Sequence, residues 1–376
     1  MVLLSFKGFI RDIRYLPVLT SYIQTYDISN FDINSANTFG VINLGSTANN
    51  LAFSKWVSPK RTRSYPFARI YNTYHLNTKR ITVIPIIKDE GLAGDNDRIN
   101  FITFSWMNLL NVYIILAWYE DAEPVKRVEN KITKQRFNKD YVSNKISEIA
   151  SYQLTALHWN TTHFEKDFNE VYMKAVNSYE RIAQEKFVNV HSKLGHVNVL
   201  EKFNINNNFS LDKFKDITLP NSLNAAIRES LTNHKLEYLR DGAKGIFTIS
   251  NYLGGYYYLT IDEIYQENNL CILQESKNTS RSKLPALDDI KDGLFKLILF
   301  SNLETLLIGD EQVNFLARLK ITGMLLGSLS LPTDDLSIQN FCLANRFRQS
   351  QSKIIIALNQ EATVNPKLSI LISSSN

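Results

Sequence analysis

Five consecutive segments in the second half of the chain constrain the fold more than any other feature. The sequence predicts them to be, in order, a helix, three strands and a helix. The first helix is predicted over residues 222–243, where Ser222 is a suitable N-cap and Gly242 a suitable end. The strand segments are residues 245–250, 256–265 and 270–277. Glycine and asparagine pairs between them permit the positive φ angles of tight turns. A second helix over residues 287–309 and a strand over residues 353–358 complete a predicted αβββαβ core.

The length of the chain predicts two domains. It has 376 residues, of which 44% are hydrophobic and 21% are charged, so each half can build its own core. Residues 1–205 are predicted to form a mixed α/β domain that becomes helical toward its end. The asparagine-rich segment 203–216 has little periodicity and is typical of a linker or long loop. Residues 217–376 then form the second domain, and the fold class is α/β with α+β mixing.

The apolar stretch Phe101–Trp118 is about as long as a membrane-spanning helix. It contains Ser105, Asn108 and Asn111, however, and its pattern changes midway from helical to β-branched and aromatic. We therefore predict a buried helix followed by a buried strand, and no membrane contact. The N-terminus carries charges early and has no long apolar core, so a signal peptide is not expected. Two cysteines without a C-x-x-C pair fit a reduced, cytoplasmic setting.

Charged side chains are predicted to converge at one end of the hairpin that the second and third strands form. Strand residues alternate between two faces. On the second strand, one face carries Tyr258, Thr260, Asp262 and Ile264. On the third strand, Glu275 and Lys277 share a face. A turn at Asn268 and Asn269 brings Asp262 beside both of them.

This combination of residues suits phosphodiester hydrolysis. Two neighbouring carboxylates hold Mg²⁺ through hard oxygen ligands, which makes Asp262 and Glu275 candidate metal ligands. The ion neutralises charge on the phosphate and lowers the pKa of a bound water. Lys277 can orient that water or help to deprotonate it, and it can stabilise the negative charge of the transition state. The side chain of Ser276 points away, but its backbone carbonyl can complete the metal shell.

The same residues resemble a known family. Ile261-Asp262, twelve intervening residues and then Glu275-Ser276-Lys277 at the end of an apolar strand resemble the PD-(D/E)XK nucleases, which include most type II restriction endonucleases. The likeness covers about residues 220–310, and isoleucine stands where the motif name has proline. It implies a restriction-endonuclease-like core whose catalytic residues are Asp262, Glu275 and Lys277. It also implies Mg²⁺ as the cofactor, with Mn²⁺ as a substitute.

The resemblance extends to further ligands and partners. Many members carry another carboxylate on the preceding helix, for which Glu229 and Glu237 are the candidates. A restriction enzyme implies double-stranded DNA as the substrate and a cognate methyltransferase that protects the host genome. Because one site per chain cuts one strand, a homodimer is expected.

Basic residues interleaved with aromatic ones predict where DNA is bound. The chain has a net charge of +5, which favours nucleic acid only weakly. The basic residues in the first half are Lys55, Lys60, Arg61, Arg63 and Arg69, and those in the second half are Arg346 and Arg348. They are candidate phosphate contacts, and the first group assigns sequence recognition to the N-terminal domain. A solvated basic loop is the alternative interpretation.

Other interpretations of the acidic residues stay open. The segment with Asp89, Glu90, Asp95 and Asp97 is a second candidate metal site, although turns are commonly rich in such residues. The hairpin itself could be a salt-bridged edge without catalytic function. The alternatives for the whole chain are a repair or recombination nuclease of the same fold and a non-catalytic DNA-binding protein.

Overall fold

The computed structural model describes residues 4–45, 50–60, 66–231, 243–267 and 269–374. Within these ranges the fold class is mixed α/β, which confirms the prediction. The chain divides into two compact units. The central unit is Tyr22–Ser222, and the split unit combines Met1–Ser21 with Leu223–Asn376.

Helices and strands are mixed along the described ranges. The helices are α1 (Pro66–Tyr74), α2 (Phe101–Leu109), α3 (Lys139–Ser151), α4 (Ala156–Lys186), α5 (Lys193–Lys202), α6 (Leu211–Leu231), α7 (Leu287–Ser301), α8 (Asp335–Ala344) and α9 (Gln349–Val364). The strands are β1 (Leu4–Ile10), β2 (Thr25–Asp27), β3 (Phe39–Asn43), β4 (Leu51–Lys55), β5 (Lys79–Pro85), β6 (Ile87–Asp89), β7 (Asn96–Arg98), β8 (Val112–Ala117), β9 (Tyr119–Pro124), β10 (Ile132–Phe137), β11 (Asn204–Ile205), β12 (Asn208–Phe209), β13 (Ala243–Asn251), β14 (Tyr256–Glu267), β15 (Leu270–Asn278), β16 (Thr305–Ile308), β17 (Glu311–Gln312), β18 (Phe315–Gly323), β19 (Ser328–Leu331) and β20 (Leu368–Ser374).

The central unit is built on a sheet with the strand order β2-β3-β4-β5-β8. The stretch 101–118 forms α2 and then β8, as predicted, and every residue of β8 is buried. Asn100 caps α2 by accepting a hydrogen bond from the backbone N–H of Thr103. Among the helices of the described ranges, we find none with the length and apolar character needed to cross a membrane.

The segment 203–216 is not a linker. It forms the short hairpin β11-β12 and the start of α6 at Leu211. The prediction was wrong because the polar composition hides three spaced phenylalanines, Phe203, Phe209 and Phe214, which are buried against α4. Ser222 is not an N-cap either, because it lies inside α6. The predicted end at Gly242 lies outside the described residues.

The split unit contains one mixed sheet, with the order β17-β16-β1-β13-β14-β15-β18-β20-β19 over the described strands. The three strands predicted at 245–250, 256–265 and 270–277 are present as the antiparallel meander β13-β14-β15. Strands β15 and β18 are parallel, and α7 is the crossover that such a pair requires. The order of α6, the meander, α7 and β18 reproduces the predicted succession of elements.

Two predicted elements of the split unit are wrong. Residues 353–358 lie inside α9 and not in a strand, because the apolar positions that are buried, Ile355, Leu358 and Ala362, recur with helical spacing. The helix predicted over 287–309 ends at Ser301, and its last residues form β16 instead. The strands that extend the sheet beyond β15 are β18, β20 and β19, which the prediction missed.

The N-terminal segment belongs to the split unit, which differs from the predicted division into 1–205 and 217–376. Strand β1 lies between β13 and β16 and pairs with both. The segment after β1 is held by the fully buried carboxylate of Glu361 in α9. This carboxylate accepts hydrogen bonds from the hydroxyl of Tyr15 at 2.6 Å and from the backbone N–H groups of Val18 and Leu19, both at 2.8 Å. The sheet is therefore completed by the two ends of the chain.

Candidate active site

A β-bulge in β14 positions the first predicted carboxylate. The pairing of β13 with β14 runs through Gly245 opposite Ile261 and then shifts to Ala243 opposite Ile264. Strand β14 therefore has one extra residue over this step, which is the definition of a bulge. Asp262 and Glu263 are the two residues inside it.

The bulge changes which residues share the face under α7. Phe247 contacts Phe300 of α7, with ring centroids 4.9 Å apart, and is paired with Leu259. Leu259 and Ile261 therefore face α7. Ile264, beyond the bulge, faces α7 as well, because it pairs with Leu273, which lies two residues before Glu275 and on the same face of β15. The expectation that Tyr258 and Thr260 share the face of Asp262 and Ile264 is thus wrong, since the alternation breaks between them.

Asp262 nevertheless lies beside the predicted partners. Its Oδ2 accepts a hydrogen bond from the backbone N–H of Ser276 at 2.9 Å. Burial and the negative charge of Glu275 raise the pKa of Asp262 to about 6, and they outweigh the nearby lysines Lys296 and Lys277. The structure therefore brings Asp262, Glu275 and Lys277 together, as the spacing of the sequence suggested.

Glu275 is a buried carboxylate held between two ammonium groups. Its side chain is only 6% exposed. Its Oε1 accepts from Nζ of Lys277 at 3.1 Å, and its Oε2 accepts from Nζ of Lys296 at 2.6 Å. Burial alone raises the pKa of Glu275, but the charges of Lys296 and Lys277 outweigh it, so the pKa lies below its ordinary value. Glu275 is therefore ionised at neutral pH.

The two lysines reach this carboxylate from different elements. Burial lowers the pKa of Lys277, but Glu275 and Asp262 more than compensate, and the pKa lies above its ordinary value. Lys277 thus stays charged. Lys296, on α7, was not predicted as a site residue. In the sequence, Lys296 stands out as a single cation in the apolar helical segment 293–300. The packing of α7 on the sheet is what shows that its side chain reaches Glu275.

Close packing of α7 on the sheet fixes this arrangement. Gly293 lies in the middle of α7, where glycine weakens a helix. A Cβ atom added there would lie 2.9 Å from Cδ1 of Leu319 on β18 and 3.0 Å from Cε of Lys277. Glycine at this position therefore allows α7 to approach the sheet closely beside Lys277.

The donor set fits a small divalent cation. Mg²⁺ commonly binds through one or two carboxylates and keeps several waters, so Asp262, Glu275 and the carbonyl of Ser276 are the groups that could hold one, in exchange for the lysines now bonded to Glu275. Burial, followed by the charge of Glu275, raises the pKa of Asp262 to about 6, and a cation bound by both carboxylates would favour the ionised form. Within the described ranges no group of three or more His, Cys, Asp or Glu side chains is arranged to hold a metal ion. Glu229 and Glu237 were the candidates for a further metal ligand on the preceding helix. Glu229 lies in α6, and Glu237 lies outside the described residues.

The predicted DNA contacts are not equivalent. Lys55 donates to the carbonyls of Ile33 and Ala36, and burial lowers its pKa to about 8. Arg69 donates to the carbonyl of Lys55 at 2.6 Å. The side chains of Lys55 and Arg69 are thus bonded to backbone carbonyls, which does not fit their predicted role as contacts to DNA phosphates. Lys60, Arg346 and Arg348 are exposed, whereas Arg61 and Arg63 lie outside the described residues.

The acidic segment of the central unit forms a hairpin, β6-β7. Asp89 is fully buried, and its Oδ1 accepts from the backbone N–H of Gly91 at 2.8 Å. Its Oδ2 accepts from the backbone N–H of His191 at 3.0 Å. Asp97 accepts from the hydroxyl of Ser58 at 2.8 Å. These carboxylates satisfy buried donors, which favours the structural interpretation of this segment.

In searches against protein-family models, curated proteins and solved structures, this chain has no match. The site is therefore interpreted from its own geometry.

Proposed function

We propose that the split unit is a Mg²⁺-dependent endonuclease of the type II restriction class, which hydrolyses phosphodiester bonds of double-stranded DNA at a specific sequence. The observation that supports this is the convergence of Asp262, Glu275 and Lys277 on the sheet face under α7, with Lys296 added from the helix. Two carboxylates beside two ammonium groups can hold a divalent cation and a phosphate together.

Each residue has a distinct role in this proposal. Asp262 and Glu275 would hold the metal ion, together with the carbonyl of Ser276. The ion supplies charge neutralisation at the phosphate and a more acidic bound water, and Mn²⁺ can replace it. Lys277 orients the water and stabilises negative charge, and the charges of Glu275 and Asp262 raise its pKa when no ion is bound. Lys296 neutralises the Glu275 oxygen when no ion is bound.

Partners follow from the chemistry of cutting both strands. A homodimer supplies two sites, and a cognate DNA methyltransferase protects the host sequence. The substrate places the protein in the cytoplasm beside the genome. A repair or recombination nuclease of the same fold is the second candidate, supported by the same site, and it differs in cutting without a fixed sequence pattern.

The test is cleavage of mixed plasmid DNA with Mg²⁺ or Mn²⁺. We expect discrete fragments from the wild type and a loss of at least about a hundred-fold in rate for Asp262→Asn, Glu275→Gln and Lys277→Ala, as for removal of other preorganised charged groups. Lys320→Ala is the matched control, because Lys320 pairs with Ser276 and so lies on the opposite face of the same sheet.

Three outcomes separate the alternatives. Equal cleavage by wild type and Lys277→Ala overturns the site. Cleavage without discrete fragments supports the repair or recombination enzyme. Binding to DNA that stays intact with either metal supports a non-catalytic DNA-binding protein.

A further inference from the structure

A polar groove on the surface of the central unit has no role in the function proposed above. It lies between the first turn of α3 and the outward face of α4 and has a volume of about 590 Å³. From α4 it is lined by Lys174, Asn177, Ser178 and Arg181, which are spaced so that they share one helix face. The opposite face of α4 packs into the core, so this second face is presented to solvent.

The chemistry of the groove combines cations with amide groups. Asn138 and Asn144 line it from α3 and its cap, opposite Asn177 of α4. Amide side chains donate and accept at once, as base edges in the major groove require. No acidic side chain lines the groove in the part of the chain that is described. The two cations at its sides, Lys174 and Arg181, suit phosphates.

One wall of the groove is formed by Tyr141. The hydroxyl of Tyr141 is buried and has no hydrogen-bond partner among the described residues. Its ring packs on Trp118, with centroids 4.7 Å apart. This hydroxyl has almost no accessible surface, and burial together with Asp167, Glu148 and Glu170 raises the pKa of Tyr141, so the residue forms a wall of the groove and is not a ligand contact.

The cations of the groove have half-exposed side chains, whereas Lys55 and Arg69 make their carbonyl contacts in part-buried positions. Lys174 contacts Glu170 at 2.6 Å and Arg181 contacts Glu185 at 3.8 Å, both as i,i+4 pairs, and Nη2 of Arg181 also donates to the carbonyl of Glu120 at 2.6 Å. Such pairs contribute little to stability and yield to a stronger anion. Lys174 also lies over the ring of Trp118, with Nζ 5.2 Å from the centroid. This buried ring therefore offers no open face on which a sugar could stack.

We propose that this groove binds the edge of duplex DNA, with Asn144 and Asn177 contacting bases while Lys174 and Arg181 contact flanking phosphates. The proposal rests on the proposed function, because it names the surface that selects the sequence to be cut. It replaces Lys55 and Arg69 as recognition residues of the central unit.

The test measures binding without divalent ions, so that cutting does not interfere. The probe is a fluorescently labelled random-sequence duplex, followed by anisotropy over a series of salt concentrations. We expect the double variant K174A/R181A to bind more weakly and to lower the salt slope by about one for each lost phosphate contact. Lys202→Ala, an exposed lysine on α5, is the matched control and should leave the slope of wild type nearly unchanged.

Selection of duplexes from a random library, read by sequencing, tests the amides. We expect Asn144→Ala and Asn177→Ala to lose about ten-fold in preference at one or two base positions, with little loss of affinity for unselected DNA. Unchanged preference in both variants and an unchanged salt slope in the double variant would overturn the groove. If the wild type binds selectively but never cuts, the proposed function fails and the groove stands.

Discussion

The buried carboxylate of Glu275 is the residue on which the candidate site depends. Both of its oxygens bond to lysines, one from the neighbouring strand position and one from a helix. A buried charge of this kind persists only when it is paired. Asp262, in contrast, has a raised pKa, so the two carboxylates differ in charge near pH 6. This difference gives the site a measurable pH and metal dependence.

Replacement of Lys296 by methionine tests whether this lysine takes the place of a metal ion beside Glu275. The change removes the ammonium group 2.6 Å from Oε2 of Glu275 but keeps most of the packing of α7. We expect a loss of about 1–3 kcal/mol in the free energy of unfolding in EDTA, because a buried charge loses one partner. Saturating Mg²⁺ should restore more stability to the variant than it adds to the wild type. Thermal unfolding with and without Mg²⁺ measures this, and equal responses in both proteins would contradict it.

Asp262→Asn tests the raised pKa of this carboxyl group. A pKa near 6 in the fold, against an ordinary value of 3.8, means that the fold disfavours the ionised form. The wild type therefore loses stability as the pH rises from about 4 to about 6, and the amide variant does not. In EDTA we expect the variant to be more stable by about 2–3 kcal/mol above pH 6 and nearly equal below pH 4.

Mg²⁺ should reverse this order at neutral pH, because only the carboxylate binds the ion. Denaturant titrations across this pH range, with EDTA and with Mg²⁺, give both comparisons. A variant whose stability advantage stays constant with pH would show that Asp262 is not the group responsible.

Among the elements, β14 and α7 show what the sequence could and could not predict. The meander was predictable because short alternating segments are separated by Gly and Asn residues. The bulge was not, because Ile261 and Ile264 are both apolar, and strict alternation assigns them to opposite faces. Helix α9 was misassigned because three consecutive isoleucines, residues 354–356, favour a strand locally, whereas burial with helical spacing decides the structure.

Gly293→Ala tests the close approach of α7 to the sheet. Alanine would gain about 1 kcal/mol in helix propensity, but its Cβ would meet Leu319 and Lys277. Overpacking of this kind costs about 1–3 kcal/mol, so the net loss of stability should be small. Because Cε of Lys277 must shift, we expect cleavage to fall by more than ten-fold while the melting temperature falls by only a few degrees. Full activity in a correctly folded variant would show that this contact does not position Lys277.

At the level of the whole chain, the division into units follows from strand pairing and not from sequence order. Strand β1 is separated from β13 by more than 200 residues, yet the two are paired in register. No local pattern reveals such a pairing, which is why a boundary was predicted only at the asparagine-rich segment. The asparagine-rich segment is buried through Phe203, Phe209 and Phe214. Its polar composition indicated a linker, whereas these three phenylalanines pack on the core. The proximity of Asp262, Glu275 and Lys277 was predictable because these residues lie on adjacent strands of one hairpin, whereas that of Lys296 was not, because it comes from α7.

Two units with separate cores should unfold separately, and the chain carries a natural reporter of this. Its four tryptophans, Trp56, Trp106, Trp118 and Trp159, all belong to the central unit. Tryptophan fluorescence therefore follows the central unit, whereas far-ultraviolet circular dichroism follows both. Glu361→Ala should weaken only the split unit, because Glu361 binds the segment after β1.

We expect this substitution to cost about 3–5 kcal/mol, since it leaves buried donors without their acceptor and removes one of the two negative charges that act on the buried Lys291, the other being Asp288. In urea, the dichroism of the variant should show a new transition at lower denaturant while the fluorescence midpoint stays near that of the wild type. Leu336→Ala, at an exposed position on α8, is the control and should move neither signal. If both signals of Glu361→Ala shift together in one transition, the units unfold as one cooperative body, and the two ends of the chain stabilise all of it.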